Sequence, residues 1–185
     1  ESRKEQLLAL YKECQTDSRI FAQMCLSEQE IKKLNQKLVS EDENHLRNER
    51  LYLYYTQFGR CMYSGEPIDL SAVMRGERYD RDHIFPRSKI KDDSLGNLVL
   101  VKNELNREKK NTYPIESSIR QKMLPFWKLL KDKGMISEKK YERLCRSTPL
   151  TTEELSDFVA RQLVQTQQST KALAVLLNER YGNQT

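Results

Sequence analysis

The sequence predicts a mainly α-helical fold that contains a small β-hairpin, and three observations favour this fold. Apolar side chains recur at helical spacing before residue 59 and again after residue 114. Between residues 60 and 110 glycines and prolines punctuate the chain, so turns dominate there. Two short extended runs, 79–85 and 98–101, lie in this middle region, and a short helix begins near Lys102. The middle region therefore reads as strand, loop, strand, helix.

The first third of the chain is expected to be helical. Leu7, Leu8, Leu10 and Tyr11 form a first apolar group. Ser27 is a plausible N-cap for a second helix. A further helix is expected from about Asn44 to Phe58, ending at Gly59. One side of this helix carries a stripe that we interpret as core: Leu46, Leu51, Tyr54, Tyr55 and Phe58.

The last third is expected to be helical again. Pro114 can occupy the first position of a helix. Pro125 must start a new helix or kink the old one, and the segment that follows Pro125 stops at Gly134. Ser137 is expected to cap a short helix that runs through Cys145.

The long final helix is predicted from a capping-box pattern, in which Thr151 is followed by Glu154. Its segment 165–170 holds only Gln, Thr and Ser, so no apolar side chain fixes it against a core. We interpret this segment either as a hinge or as an ordinary exposed stretch of a straight helix.

Composition limits the class of protein. Only 37% of residues are apolar and 32% are charged, which indicates a modest core. No run approaches a membrane span, and the first residue is Glu1, so we expect a soluble, intracellular piece of a longer protein. The net charge is +5: residues 51–185 carry a balance of +6, with 23 Lys/Arg against 17 Asp/Glu, and residues 1–50 carry a balance of −1. This surplus suits either a polyanion partner or a solvated surface. No C-x-x-C pair occurs among Cys14, Cys25, Cys61 and Cys145, which argues against structural zinc.

One of the two histidines is a candidate for catalysis. His45 lies in a polar helical stretch and is interpreted as a surface residue. His83 follows Asp82 inside an apolar, strand-like run, and neighbours on a regular strand point to opposite faces. The two can serve one site only if the chain bends there, or if the carboxylate approaches a metal from one side and the imidazole approaches water from the other. Asn97 begins the second extended run, where its amide could tie the loop back to the histidine segment.

Further polar residues surround this motif. Asn106 and Lys109 lie three residues apart on the short helix and share a face. Phosphodiester hydrolysis needs an activated water and an electrophilic ion; neutral histidine suits the first task, and Asp and Asn oxygens suit magnesium. Several basic residues could receive phosphates, with Arg87, Lys89 and Lys91 among them. From the residues alone, a metal-dependent nuclease is plausible.

An ordered set of motifs resembles a known family. The arrangement is similar to the HNH nuclease domain of type II CRISPR RNA-guided DNA endonucleases. The matching segments are 51–55, 59–60, 79–88, 91–94, 97–100 and 106–109, followed by 161–164 with Thr166 and Lys171.

The resemblance implies a ββα-metal core flanked by helices, with residues 1–45 as a helical linker, 46–150 as the nuclease and 151–185 as a helical exit linker. It implies Asp82 and Asn106 as ligands of Mg²⁺ (Mn²⁺ possible), His83 as general base and Asn97 as the orienting residue. It also suggests a phosphate contact for Lys109, and no zinc.

The resemblance further implies what the protein acts on and with. The domain would cut the target DNA strand paired to guide RNA, inside a larger effector in the prokaryotic cytoplasm, with no membrane partner. Three alternatives stay open: a free-standing restriction or homing endonuclease, a binding or allosteric module with a dead site, and a helical scaffold with a structural histidine.

Overall fold

The computed structural model describes residues 1–17 and 26–182, and these ranges are mainly α-helical. Single turns of 3₁₀ helix cover His45–Arg47 and Leu95–Asn97. The remaining elements are α1 (Arg3–Gln15), α2 (Glu28–Ser40), α3 (Glu49–Thr56), α4 (Leu70–Met74), β1 (Tyr79–His83), β2 (Leu98–Lys102), α5 (Asn103–Lys109), α6 (Ser117–Asp132), α7 (Glu138–Cys145) and α8 (Thr152–Gly182). The prediction of a mainly α-helical fold with a small β-hairpin is confirmed.

The two strands form the central antiparallel sheet. Asp82 lies opposite Val99, and His83 lies opposite Leu98. Residues 98–101 are all buried, whereas burial along β1 is mixed. Because α5 begins directly after β2, the three elements form a ββα unit in which the helix packs on both strands.

Three helix caps that the sequence predicts are present. The Ser27 hydroxyl accepts a hydrogen bond from the Glu30 amide at 3.1 Å, and the Ser137 hydroxyl accepts one from the Lys140 amide at 3.1 Å. Thr151 and Glu154 exchange two such bonds, each of 3.1 Å. Such caps are recognisable from sequence because they satisfy exposed amides within one turn.

The helix predicted from about Asn44 to Phe58 is divided in two, so that part of the prediction is wrong. Asn48 has an extended backbone, and its side chain accepts from two amides of the following turn, so α3 begins only at Glu49. The expected core stripe is confirmed, since all five of its side chains are buried. This helix ends at Thr56, two residues before the predicted end at Phe58, and the left-handed backbone that follows begins at Phe58 (φ +50°) and continues at Gly59 (φ +64°).

The helix predicted at Pro114 begins three residues later, at Ser117. Tyr113 and Ile115 are both buried in the core, and this packing holds the chain outside the helix up to residue 116. Pro125 does not start a new helix, because it lies inside α6. A proline there costs about 3 kcal/mol, but each large apolar side chain buried by the same helix, such as Trp127, contributes roughly 1.5–3 kcal/mol.

Long-range hydrogen bonds connect the helices to one core. The Tyr11 hydroxyl donates to the Tyr55 carbonyl at 2.6 Å, which joins α1 to α3. The Trp127 indole donates to the Met62 carbonyl at 2.9 Å, beneath the sheet. By contrast α8 is largely exposed and continues unbroken through 165–170. Among the described residues, no helix combines the length and the apolar character that crossing a membrane would require.

Candidate active site

The two neighbours at the end of β1 occupy different environments. Asp82 is buried, with 6% of its surface exposed, whereas the His83 side chain is 21% exposed. This difference follows from the strand, because successive side chains point to opposite faces. The aspartate therefore lies against the helices, and the histidine faces a cavity.

The Asp82 carboxylate is held by two donors that act on one of its oxygens. The Tyr63 hydroxyl donates to Oδ2 at 2.6 Å, and the Lys109 ammonium lies 3.0 Å from the same oxygen. Lys109 also donates to the backbone carbonyl of His83 at 2.9 Å. Burial, and then the charge of Asp82, raise the pKa of Tyr63 well above its usual range, so the hydroxyl stays a donor.

Asn106 lies over the same face of β1. Its amide nitrogen donates to Oδ2 of Asp80 at 3.1 Å. Asp80 and Asp82 are two residues apart and share a face of the strand. Since Asn106 reaches Asp80 while Lys109 reaches Asp82, α5 brings an amide and an ammonium onto a pair of carboxylates.

Two side-chain oxygens on this face are suited to weak binding of a hard divalent cation. Within residues 1–17 and 26–182, no hydrogen bond reaches Oδ1 of Asp82 or the amide oxygen of Asn106. Such oxygens suit Mg²⁺ or Mn²⁺, and water and phosphate oxygens would have to complete the shell. In the same ranges, no cluster of three His, Cys, Asp or Glu side chains offers a metal-binding cage.

None of the three cysteines in the described part of the chain bonds to the carboxylates on this face of the sheet. Cys61 is a buried free thiol whose sulfur accepts a hydrogen bond from the Lys102 amide at 3.4 Å. Cys14 and Cys145 are free thiols as well. Cys25 lies outside the described residues.

His83 opens on a polar cavity of about 280 Å³. Its Nε2 lies 2.7 Å from a carboxylate oxygen of Asp93, and the same oxygen lies 3.5 Å from Nε of Arg87. Arg81 forms an ion pair with Glu49 at the edge of this cavity. The histidine thus faces a pocket with two arginines and two carboxylates, a setting that suits a phosphate and a water molecule.

Asn97 ties the loop after β1 to the start of β2, as the sequence suggested. It is fully buried; its side-chain oxygen accepts from the Phe85 amide at 2.9 Å, and its nitrogen donates to the Phe85 carbonyl at 3.1 Å. A third bond reaches the Asp92 carbonyl at 2.9 Å. The contacts are present, whereas an orienting role in catalysis stays a prediction.

The basic residues divide into two groups. Arg87, Lys89 and Lys91 are exposed around the loop that follows β1. Lys109 differs from them, because only 4% of its side chain is exposed and its ammonium pairs with Asp82. His45, by contrast, lies on the surface, 3.5 Å from Glu41 and outside the cavity.

Sequence reasoning missed four residues that contact the site or the segment beside it. Tyr63, which bonds to Asp82, lies in a turn region without any local motif, and Asp93, which meets His83, lay in a matched segment without a role. Lys140 and Arg143 bond to the segment that contains Asp93 and belong to α7, for which the sequence predicted only a short helix capped by Ser137. None of these carries a sequence signal, because each acts through a contact between distant segments.

Comparison with known proteins gives the family. A family model described as HNH endonuclease matches residues 61–115, which include both strands and α5. The chain is 37% identical over 160 residues to CRISPR-associated endonuclease Cas9 of Streptococcus mutans, and 38% identical over 160 residues to that of Listeria innocua. Each match covers 84% of this chain. The chain belongs to the HNH endonuclease family.

This chain is short beside these relatives. It spans 12% of the length of the Streptococcus mutans and Listeria innocua proteins. It also matches Cas9 of Staphylococcus aureus, with 38% identity over 139 residues, 70% of this chain and 13% of that protein. These relatives are therefore much longer than the part of them that this chain matches.

Proposed function

We propose that this chain is a metal-dependent endonuclease domain that hydrolyses a phosphodiester of the guide-complementary DNA strand within a CRISPR RNA-guided effector. One observation carries the proposal: at the end of β1, Asp82 keeps one carboxylate oxygen without a described hydrogen bond on one face of the strand, and its neighbour His83 opens on a polar cavity on the other face. In this proposal the carboxylate approaches a metal ion from one side of the strand, and the imidazole approaches the attacking water from the other. The likeness to CRISPR-associated endonucleases supports a larger effector as the parent protein, and target DNA and guide RNA are the partners proposed with it.

His83 acts as the general base in this proposal. A neutral imidazole that donates its Nε2 proton to Asp93 carries its lone pair on Nδ1. Nδ1 therefore takes a proton from the attacking water. The water oxygen bonds to phosphorus, the bond from phosphorus to the leaving oxygen breaks, and the leaving oxygen takes up a proton from solvent.

Oδ1 of Asp82 and the amide oxygen of Asn106 are the atoms that would hold Mg²⁺ or Mn²⁺. A bound divalent ion supplies charge stabilisation to the phosphate and the leaving oxygen. Tyr63 and Lys109 fix the Asp82 carboxylate from its other oxygen, so its orientation is set before substrate arrives. Asn97 orients the loop behind His83 through its bonds to Phe85.

The exposed basic residues supply binding without sequence preference. Arg87, Lys89 and Lys91 surround the loop after β1 and are proposed to contact phosphates. Base pairing with the guide would then carry the sequence specificity. We also propose residues 46–150 as the nuclease unit and the flanking segments as its linkers, acting in the prokaryotic cytoplasm.

The test compares the two histidines in the guide-loaded effector that carries this chain. His83→Ala is expected to slow single-turnover cleavage of the target strand by about 100- to 10,000-fold, because it removes the base. His45→Ala is the matched control, since that side chain is exposed and outside the cavity, and it should leave the rate unchanged. Equal losses in the two variants would refute the assignment of the base.

A further inference from the structure

Helix α7 carries two buried cations on one side. Lys140 is 5% exposed and Arg143 is 7% exposed, and they lie three residues apart, so they share a face of the helix. Lysine and arginine are almost never fully buried unless they are paired. The partners of these two side chains therefore indicate why they are retained.

The Lys140 ammonium is bonded to backbone carbonyls. Its Nζ donates to the Leu95 carbonyl at 3.0 Å and to the Leu98 carbonyl at 2.7 Å. Within the described part of the chain, no carboxylate pairs with it. Burial lowers the pKa of Lys140 to about 7. The neutral amine keeps two N–H donors, so both carbonyls stay satisfied in either charge state.

Arg143 holds the other end of the same segment. Its guanidinium donates to Oδ2 of Asp92 at 2.7 Å and lies over the Phe85 ring, 4.5 Å from the centroid. Burial alone would raise the pKa of Asp92, but the hydrogen bonds from Ser94 and Arg143 bring it below its usual value. The carboxylate therefore stays charged and paired with the arginine.

The segment 92–98 links these contacts to the active site. It contains Asp93, whose carboxylate meets Nε2 of His83, and Asn97, whose side chain bonds to both backbone groups of Phe85. Arg143 fixes the first residue of this segment, and Lys140 fixes the carbonyls on either side of Asn97. The residue that meets His83 and the residue that ties down the loop after it thus lie in a segment held by α7.

We propose that Lys140 and Arg143 are positioning residues for DNA cleavage, which hold segment 92–98 so that Asp93 and Asn97 keep His83 in its productive orientation. The inference rests on the proposed function, since it concerns the base of that reaction. Neither cation touches the reacting atoms. A displacement of about 1 Å at a reacting group can cost roughly a hundredfold in rate, so a loosened segment should slow cleavage even in a folded protein.

The experiment uses the full-length effector that carries this chain, with guide RNA, matched target DNA and Mg²⁺. Lys140→Met and Arg143→Met keep an unbranched apolar stem and remove the polar end of the side chain. Lys139→Met is the matched control for charge, because that neighbour is exposed. Arg146→Met is the control for packing, because its bonds reach Glu154, Thr148 and Pro149 instead of segment 92–98.

Three quantities are measured for each variant: the maximal single-turnover rate, the target concentration that gives half of it, and the midpoint of thermal unfolding. At a temperature where every variant is folded, Lys140→Met and Arg143→Met should lower the maximal rate by about tenfold or more without changing the half-maximal concentration. Arg143→Lys should recover part of the rate, because it retains a cation near Asp92. Both controls should cleave like the wild type.

Each outcome decides the question. If folded Lys140→Met and Arg143→Met cleave at the wild-type rate, or if Arg146→Met slows cleavage equally, the two residues only stabilise the fold. If either Met variant fails to fold, Asp92→Asn is used instead, because it weakens the contact between Arg143 and segment 92–98 from its partly exposed side. This variant should slow cleavage about fivefold or more. An unchanged rate would overturn the inference. A wild type that does not cut would refute the proposed function instead.

Discussion

Lys109 provides a test of whether a basic residue near the active site binds substrate or supports the site from within. The resemblance suggested that Lys109 contacts phosphate, whereas the structure buries its ammonium against Asp82, with 4% and 8% of the two side chains exposed. Lys109→Met removes one partner of this buried pair. Arg87→Met is the matched comparison, because Arg87 is basic, close to the cavity and exposed.

The expected magnitude follows from burial. Removing one partner of a buried ion pair costs about 3–5 kcal/mol, because the other charge is left without compensation. The Tyr63 hydroxyl still donates to Asp82 in this variant, so we expect a loss of about 3 kcal/mol in the free energy of unfolding. Arg87→Met should change that free energy by no more than about 0.5 kcal/mol.

Urea unfolding measures the free energy of unfolding. The salt dependence of target binding by the effector measures whether a basic residue contacts phosphate. A phosphate contact contributes about one unit to the slope of log affinity against log salt. Arg87→Met should lower this slope by about one, and Lys109→Met should leave it unchanged. If Lys109→Met keeps wild-type stability and lowers the slope, Lys109 binds phosphate and our interpretation of its burial is wrong.

Three further predictions concern the cation, a buried lysine and the long helix. Mg²⁺ should bind the isolated chain weakly, because the site offers so few protein oxygens; tight binding by calorimetry, or binding that survives Asp82→Ala, would contradict this. Burial lowers the pKa of Lys140 to about 7 in the folded protein. Between pH 7 and the usual lysine pKa, this side chain is therefore protonated in the unfolded chain and neutral in the folded one. Wild-type stability should therefore rise from pH 7 to 9 relative to Lys140→Met, by up to about 1.4 kcal/mol per pH unit, and an equal pH dependence of the two proteins would exclude the shift. Amides of 165–170 should change their hydrogen exchange when the effector binds matched target, as expected of a hinge; identical exchange while the domain repositions would locate the hinge elsewhere.

Much of the fold was predictable because its signals are local. Ser137 caps α7 and Thr151 pairs with Glu154 at the start of α8, as their spacing predicts. The two extended runs pair as β1 and β2, and the helix expected near Lys102 follows directly. A cap or an alternating strand is decided by residues within a few positions, so sequence is sufficient there.

The errors arose where tertiary contacts override local preference. Pro114 is acceptable at the start of a helix, but burial of Tyr113 and Ile115 delays that helix to Ser117. At Pro125 the sequence left two alternatives, and the one with a new helix is wrong: α6 continues through the proline, because the apolar side chains buried around it offset the missing hydrogen bond. Local propensity is a weak guide at such positions, since it contains no information on what the segment packs against.

The sequence by itself determined which residues are candidates for the chemistry of this protein: Asp82 beside His83, Asn97 just before β2 and Asn106 on the following helix are read directly from residue types and order. Only the tertiary structure decided how those groups are held. Tyr63 and Lys109 reach Asp82 across 19 and 27 positions in the chain, and Arg143 reaches Asp92 across 51. Contacts at such separations leave no periodic pattern in a single sequence, because folding alone brings their partners together.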